Sequence, residues 1–260
     1  MSEQVHITRS PQHEGIAIIT IDRPPRNAMS LQAHRELLAA VRQTHDDLTV
    51  QCVIITGAGD KSFVAGGDLN EHVQLDAQSA QVRTAVIRDV FTAVRRHRVP
   101  VIAAVNGYAL GGGLALMASC DMVVASDNAR FSLPEVKVGV MGGTRHLRRI
   151  VPDKVVRMMA FTGKMVDAHY FHALGVIHEV VPLAELMPAA TRLALEICEH
   201  SPQCIELMKE TLNLTEHMEL DEGYHVECYA TSIIKSTPQA QEAVRAVLEK
   251  RKPDFKNAAR

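Results

Sequence analysis

Three apolar segments, each followed by a turn and then by a helix-like stretch, constrain the fold more than any other feature of this sequence. They are GIAIITID at 15–22, QCVIITG at 51–57 and VPVIAAVNG at 99–107. After the first two, the residue pattern predicts helices over Leu31–His45 and Ala77–His97. Strands that are apolar along their whole length and alternate with helices are typical of an α/β protein whose sheet is covered on both faces.

The second half of the chain has a different pattern. Strand-like segments recur at 121–126 and 129–133, and after Pro152 the sequence is almost wholly helical. We therefore predict a core over residues 1–200 and a C-terminal helical region over residues 201–260. The sequence leaves open whether that region packs on its own chain or on a neighbouring one.

Composition excludes several classes of protein. A chain of 260 residues with 47% hydrophobic side chains can bury a sizeable core, and 28 Lys plus Arg against 30 Asp plus Glu gives no net field for gathering nucleic acid or a membrane surface. The N-terminus lacks an apolar stretch of signal-peptide length, and no other run is apolar enough to span a bilayer. The five cysteines are odd in number and widely spaced, and the histidines lack HExxH spacing. We therefore expect a cytoplasmic protein without disulfides or a metal.

Two glycine-containing loops carry the functional signal. The stretch GYALGGGLALMASCD at 107–121 places three glycines at the start of a predicted helix, where unpaired N–H groups and a partial positive charge favour an anionic ligand. The same glycines would also let a helix pack closely on a strand, and their spacing matches neither a dinucleotide nor a P-loop motif. A second loop, SFVAGGDLNEH at 62–72, offers further glycine N–H groups. Two converging donors fit an enzyme that stabilises negative charge on a carbonyl oxygen.

The stretches FVAGGDL, AAVNGYALGGGLALMASCDMVVASDNARFSLPEVKVG and EAVRAVLEKRKPDF occur in this order. Together they resemble the crotonase superfamily, the enoyl-CoA hydratase/isomerase family, and the resemblance runs from Ile16 to Phe255. It implies an α/β fold built as a spiral of ββα turns, with a C-terminal helical oligomerisation region that forms homotrimers, often paired into homohexamers. It also implies an acyl-CoA substrate, with coenzyme A as part of the substrate and no separate cofactor.

The resemblance assigns the chemistry to three residues. The backbone N–H groups of Gly67 and Gly112 would hold the thioester oxygen of an enolate, and Glu135 in FSLPE would move the proton. Hydratases of the family usually carry a second glutamate two residues after GGG, where this chain has Ala115. A single carboxylate favours an isomerase-like proton shuttle, or an atypical hydratase that uses another group.

The sequence leaves two other functions open. The same oxyanion site would serve a hydrolase or decarboxylase of a β-keto or malonyl-type acyl-CoA. A non-catalytic family member would bind CoA or RNA, and the candidate RNA contact is the basic cluster Arg95, Arg96, His97 and Arg98. Because cations also favour a helix C-terminus and the chain has no RNA-module motif, we expect no nucleic-acid partner.

A second departure from the family lies at VMGGTRHL, residues 140–147, which is a few residues shorter than the corresponding loop of many relatives. Arg145 and His146 in this loop are candidates for contact with a polar or cyclic acyl group, and His146 is a candidate for the missing acid/base. The alternative is an exposed basic face that continues into Arg148 and Arg149.

The remaining site residues come from the same resemblance. The turn Arg26–Ala28 would bind CoA, with Arg26 near its phosphates, and Lys250 and Phe255 would reach the site of a neighbouring subunit. Otherwise the charged run EKRK is a solvated helix end. The other residues assigned to substrate binding are Ala28, Ala65, Asp68, Leu69, Gly111, Ala115 and Pro134, with Arg145 and His146.

Overall fold

The computed structural model describes residues 3–73 and 76–258. The strands in this part of the chain are β1 (Val5–Ser10), β2 (His13–Ile21), β3 (Cys52–Gly57), β4 (Ser62–Val64), β5 (Val101–Val105), β6 (Tyr108–Leu110), β7 (Met122–Ser126), β8 (Arg130–Ser132), β9 (Val166–Asp167) and β10 (Glu179–Val181). The helices are α1 (Leu31–Asp46), α2 (Leu69–His72), α3 (Ala77–Arg95), α4 (Gly112–Met117), α5 (Thr144–Leu147), α6 (Asp153–Thr162), α7 (Ala168–Ala173), α8 (Leu186–Cys198), α9 (Pro202–Thr215), α10 (Leu220–Lys235), α11 (Pro238–Leu248) and α12 (Phe255–Ala258). Short 3₁₀ helices cover Pro134–Val138 and Leu183–Glu185.

The strands form two sheets. The larger has the order β1-β2-β3-β5-β7-β10, in which β1 and β2 are antiparallel and the other neighbours are parallel. The smaller has the order β4-β6-β8-β9, with β4, β6 and β8 parallel and β9 antiparallel to β8. The chain passes from the larger sheet to the smaller one at β3–β4, β5–β6 and β7–β8, and a helical segment follows each passage. This repeat is the expected spiral of ββα turns.

Both faces of the larger sheet are buried, as the apolar strands predict. On one face, Ile54 belongs to a cluster beneath α8, which contributes small residues such as Ala190. On the other face, Ile55 packs in the main core with Leu37 of α1 and Phe63 of the smaller sheet. Because successive side chains of a strand point to opposite faces, a strand buried on both faces is apolar throughout. The predicted α/β architecture is confirmed.

The structure adds one strand to those expected and contradicts one prediction. Strand β1 precedes the segment at 15–22 and pairs with β2. The chain after Pro152 is not almost wholly helical, because β9 pairs with β8 in the smaller sheet and β10 pairs with β7 in the larger one. These strands have two and three residues, so the neighbouring strand and not the local pattern determines their conformation.

Helices α9–α12 form the C-terminal region, and α9 packs on its own chain. The ammonium group of Lys209 lies 2.6 Å from a carboxylate oxygen of Asp121 and 2.9 Å from the carbonyl oxygen of Val99. Arg98 forms a second ion pair with Glu206 of α9. Helix α10 buries none of its residues. A domain boundary at residue 200 stays a prediction.

Within residues 3–73 and 76–258, no helix has both the length and the apolar character needed to cross a membrane. The same residues contain no group of three or more His, Cys, Asp or Glu side chains placed to hold a metal ion. The five cysteines are free.

Candidate active site

Three parallel strands of the smaller sheet bring the predicted catalytic residues to one edge. The strands are aligned by the register pairs Val64 with Ala109 and Leu110 with Ser132. Gly67 follows the end of β4, Gly112 follows β6 and Glu135 follows β8. Because neighbouring parallel strands end at the same edge of a sheet, the three residues lie on adjacent chain segments.

The three glycines at the start of α4 have different environments. A Cβ atom on Gly113 would overlap the carbonyl oxygen of Val64, so this glycine permits close packing of α4 on β4. Gly111 has φ +54°, and a Cβ there would lie 2.5 Å from Oε1 of Glu135. Gly112 has nothing within 4 Å of its Cβ position. The packing role therefore belongs to Gly113, while Gly112 is the glycine that a ligand can approach.

Gly112 and Gly67 both offer backbone donors. Gly112 is the first residue of α4, where an N–H group has no partner within the helix. The Gly67 loop is fixed by Met29, whose N–H donates to Gly66 O at 2.8 Å and whose carbonyl accepts from Asp68 N–H at 3.0 Å. Among the described residues, neither Gly67 N–H nor Gly112 N–H has an acceptor. Both donors are thus available to an oxyanion.

Glu135 lies in the 3₁₀ helix beside Gly111. Its Oε1 faces the Gly111 position and lies 3.7 Å from the Cβ position of Gly142. Its Oε2 is buried and has no hydrogen-bond partner in the described part of the chain. Burial raises the pKa of this carboxyl group, and a bond from its own backbone N–H offsets only part of the effect. A partly buried carboxylate that is left unpaired is costly, and such groups concentrate at functional sites.

Ala115 occupies the place of the second glutamate of the family's hydratases, and it is 0% exposed. It lies one helical turn beyond Gly111 on the same face of α4. The Cβ position of Gly143 is 3.5 Å from Ala115 Cβ and 3.4 Å from Gly111 O. The turn formed by Gly142 and Gly143 therefore lies over α4 at this point.

His146 of α5 lies beside Ser119, two residues beyond the end of α4. The Ser119 hydroxyl donates to Ala115 O at 2.8 Å, and His146 Nδ1 is 3.1 Å from the same hydroxyl oxygen. Because that hydroxyl has a single hydrogen, Nδ1 of His146 is the donor of the second bond and Nε2 carries the lone pair. Burial and the neighbouring Arg149 lower the pKa of His146, which favours the neutral ring. Phe91 packs against the ring at 5.0 Å between centroids.

Arg145, the other candidate in this loop, has an exposed side chain. One of its guanidinium nitrogens lies 3.3 Å from Nε2 of His217, at the end of α9. Of its basic neighbours, Arg148 pairs with Asp153 at 3.1 Å and Arg149 with Glu216 at 2.6 Å. The structure thus joins this segment to the C-terminal region.

Arg26 and Ala28 lie in the turn after β2, as the resemblance requires. Arg26 is exposed, and its carbonyl accepts a bond from Ala65 N–H at 3.3 Å. Ala28 O accepts from Arg23 at 2.7 Å. The buried side chain of Asn27 stabilises this turn by donating to the Ala58 and Ser62 carbonyls at 3.0 and 2.7 Å. Sequence reasoning missed Arg23 and Asn27, whose partners lie far away in the sequence.

Asp68 is already occupied by contacts within the protein. It lies 2.5 Å from Arg23 and caps α2 through a bond from Asn70 N–H at 2.9 Å. Burial alone would raise the pKa of Asp68, but these bonds outweigh burial and lower it. Leu69, the next residue, is exposed, and Pro134 is half-buried beside Glu135.

Lys250 and Phe255 lie at the far end of the C-terminal region. Between them, Arg251 donates to both carboxylate oxygens of Glu242 at 2.5 and 3.1 Å, and Asp254 N–H donates to the same carboxylate at 2.9 Å. These bonds fold the segment back onto α11. The proposed contact of Lys250 and Phe255 with a neighbouring subunit's CoA stays a prediction.

The basic cluster at 95–98 is largely engaged inside the protein. Arg95 pairs with Glu216 at 3.1 Å, and Arg98 pairs with Glu206. His97 is buried and lies 3.2 Å from the Thr44 hydroxyl. These contacts give the cluster a structural role.

Two open backbone donors beside a partly buried carboxylate are the arrangement that stabilisation of charge on a carbonyl oxygen, with proton transfer next to it, requires. The profile of the family described as enoyl-CoA hydratase/isomerase matches residues 11–258. The crotonyl-CoA hydratase of Syntrophomonas wolfei is 35% identical over 248 residues, covering 94% of this chain and 95% of that protein. A carnitinyl-CoA dehydratase of Escherichia coli is 36% identical over 268 residues, covering 98% and 99%.

The fold agrees with these relatives. The crystal structure of an enoyl-CoA hydratase from Bacillus anthracis superposes with a TM-score of 0.92 at 29% identity, covering 97% of this chain and 99% of that one. The chain therefore belongs to the enoyl-CoA hydratase/isomerase family and has the crotonase fold. It is an acyl-CoA enzyme of that family.

Proposed function

We propose that this protein converts an enoyl-CoA thioester through an enolate held by the N–H groups of Gly67 and Gly112, with Glu135 as acid and base. The observation that carries the proposal is Oε2 of Glu135, which is buried without a partner in the described residues and lies against Gly111, the residue before the open position of Gly112. A carboxylate oxygen in this state holds no other part of the fold together. It is free to exchange a proton with a bound substrate.

The two N–H groups act on the thioester oxygen. When a proton leaves the α-carbon, negative charge moves to that oxygen, and each well-placed donor lowers the barrier by about 3 kcal/mol. The donors are fixed before substrate binds, because α4 orients Gly112 and the bonds to Met29 orient the Gly67 loop. Little reorganisation is then needed during the reaction.

Glu135 moves the proton. In a 3-enoyl thioester it removes the α-proton, and it then delivers a proton to the γ-carbon, so that the double bond moves next to the carbonyl with no atom gained or lost. A raised pKa makes the carboxylate a stronger base for the first step. One carboxylate is sufficient for this sequence.

Hydration is the second candidate, and the names of the relatives favour it. Adding water to a 2-enoyl thioester requires a base for the water as well as an acid for the α-carbon. Ala115 supplies no such group. The neutral ring of His146, with Nε2 unprotonated, is the candidate base for this reaction.

Mass spectrometry of 3-hexenoyl-CoA and crotonyl-CoA after incubation with the protein in D2O separates these reactions. Isomerisation incorporates deuterium into 3-hexenoyl-CoA without addition of water, whereas hydration adds one D2O to crotonyl-CoA. Glu135→Gln should reduce turnover about 1,000-fold while leaving CoA affinity unchanged, and Glu199→Gln at an exposed position is the matched control. Full activity in Glu135→Gln would overturn the proposal.

The pH dependence gives an independent test. Since burial raises the pKa of Glu135, the acidic limb of kcat should lie above the ordinary glutamate value of 4.5. This limb should disappear from the residual activity of Glu135→Gln. An acidic limb that is unchanged in the variant would assign the titration to a different group.

We also propose that the protein is a homotrimer or homohexamer assembled through the C-terminal region, and that it works in the cytoplasm, where its five cysteines stay reduced. The assembly is supported by the apolar side chains that this region exposes, including Leu212, Leu220, Tyr229 and Val247. Sedimentation equilibrium should give three or six chain masses. Leu212→Glu should shift the protein toward the monomer, whereas Leu48→Glu, at an exposed position of the core, should not. A monomeric wild type at micromolar concentration would contradict the assembly.

A further inference from the structure

The segment 135–146 lies against α4 and its two ends at three points. Gly111 lies against Glu135, Ala115 against Gly143, and Ser119 is bonded to His146. Gly111 caps the start of α4, Ala115 lies within it, and Ser119 lies two residues beyond its end. The chain from residue 135 to residue 146 therefore contacts α4 and both of its ends.

Ala115 and Gly143 are two small residues that lie close together. The Cβ position of Gly143 is 3.5 Å from Ala115 Cβ, and it is already 3.0 Å from Leu133 Cδ2. Gly143 also has φ +71°, a conformation that residues with a Cβ rarely adopt. A side chain at Gly143 is therefore opposed by Leu133 and by the backbone conformation, and a longer side chain at Ala115, which is 0% exposed, has to displace its neighbours.

This contact affects whether water can replace the glutamate that hydratases of the family carry at the position of Ala115. If only the side chain had been lost, a space would remain in which water could take its place. Instead, Ala115 is 0% exposed with the Gly142–Gly143 turn beside it, and Oε2 of Glu135 is also shielded from solvent. The β-carbon of a bound enoyl group would therefore have no activated water on this side.

We propose that the Gly142–Gly143 turn, seated on Ala115, determines reaction specificity by excluding the water that hydration needs, which leaves proton transfer by Glu135. The inference rests on the proposed function. In isomerisation the Cα–H bond breaks, the proton passes to Glu135, and a proton is added at the γ-carbon. In hydration a hydroxyl adds to the β-carbon and a proton to the α-carbon, and this reaction is the one that the turn blocks.

The test compares two rates for each protein sample, namely exchange of the α-proton of 3-hexenoyl-CoA with D2O and addition of water to crotonyl-CoA. In the wild type, exchange should exceed addition at least tenfold. Ala115→Glu alone should lower both rates and the urea midpoint of unfolding, because its carboxylate meets the turn. Since that variant can fail by misfolding, a second background carries a short glycine-rich insertion between Met141 and Gly142, which lifts the turn.

In the background with the longer turn, Ala115→Glu should raise the ratio of addition to exchange at least tenfold. Ala115→Gln in the same background is the matched control, because glutamine has the same size and is no base, and it should leave the ratio unchanged. Equal gains for glutamate and glutamine, or a stable Ala115→Glu single variant that hydrates efficiently, would overturn the role of the turn.

The two proposals fail in different ways. Wild-type exchange accompanied by equally fast addition of water would overturn the inference and leave the enolate mechanism standing. Loss of neither rate in Glu135→Gln would instead overturn the assignment of Glu135. A wild type that performs neither reaction would overturn the proposed function, and the inference with it.

Discussion

The larger sheet and the C-terminal region are held in different ways. Every residue of β3 and β5 is buried, and apolar side chains pack on both of their faces. Helix α10 buries none of its residues, and α9 meets the core through ion pairs. Apolar burial is nearly independent of salt, whereas ion pairs near the surface depend on pH and ionic strength. The sheet therefore maintains the fold, and a rise in ionic strength acts first on the C-terminal region.

Gly113→Ala should be the most damaging single change. Its Cβ would overlap the carbonyl oxygen of Val64, which is backbone of β4 and cannot rotate away. We expect the free energy of unfolding to fall by about 3 kcal/mol or more, as measured by urea denaturation.

Gly112→Ala is the matched control for this change. Nothing lies within 4 Å of its Cβ position, so stability should change by less than about 1 kcal/mol. Activity should nevertheless fall, because the new methyl group enters the space from which a thioester approaches the N–H. Equal losses of stability at both positions would show that α4 packs differently on β4.

Lys209→Met tests the attachment of α9. The Lys209 side chain is 7% exposed, and its removal leaves the Asp121 carboxylate without its cation. We expect a loss of about 3 kcal/mol, together with faster hydrogen exchange in α9. Lys252→Met is the control, because that side chain is 91% exposed in its pair with Glu199 and should contribute less than about 0.5 kcal/mol.

Mild acid should act on the core through two buried histidines. Burial lowers the pKa of His97 to about 3 and that of His34 to about 4, from the ordinary value of 6.5. Below pH 6.5 the unfolded chain therefore binds more protons than the folded one, and stability falls with pH. Between pH 7 and 5.5 the expected combined loss is about 2.5 kcal/mol. Native-state NMR titration of either histidine near 6.5 would contradict this expectation.

Glu216→Gln should have the smallest of these effects. The Glu216 carboxylate lies 2.6 Å from Arg149 and 3.1 Å from Arg95, so it joins α9 to two core segments. We expect a loss of about 1 kcal/mol that shrinks in high salt. Glu179→Gln, at the more exposed pair with Arg192, is the control and should cost less.

The Glu216 contribution also has its own pH window. Burial alone would raise the pKa of Glu216, but the bond from Arg149 outweighs burial and lowers it. The stabilisation is therefore complete above pH 4.5 and disappears as pH falls through the lowered value. Acid should thus destabilise the core through its histidines before it loosens α9 at this pair. Urea denaturation of the wild type and of Glu216→Gln at decreasing pH tests this order. Loss of the Glu216 contribution at a higher pH than the histidine-linked loss would contradict it.

The sequence predicts the long elements well because their patterns are local. Helix α1 was expected over Leu31–His45 and covers Leu31–Asp46, with Ser30 as its cap. Strands β9 and β10 escaped prediction because two or three residues carry no detectable period, and their partners are distant in the chain. The long strands and helices follow from side-chain patterns, whereas the short strands depend on tertiary contacts.

The features of the site also divide into those that local sequence predicts and those that depend on tertiary contacts. The motifs identify Gly67, Gly112 and Glu135, but their positions at one edge follow from the order of strands in the smaller sheet. No local pattern predicts that Gly143 lies beside Ala115, since the two residues approach each other only after the chain has passed through β7 and β8. The proximity of Gly143 to Ala115 is therefore seen only in the folded structure.

The neighbouring glycines of α4 would also be retained for different reasons in descendants of this chain. Gly113 is required by the packing of α4 on β4, whether or not the protein acts on a thioester, whereas Gly112 has open space in front of it. A lineage that abandoned catalysis would be free to replace Gly112 and would still have to keep Gly113. A homologue with alanine at 112 and glycine at 113 would therefore retain this fold after selection for the oxyanion site had ended.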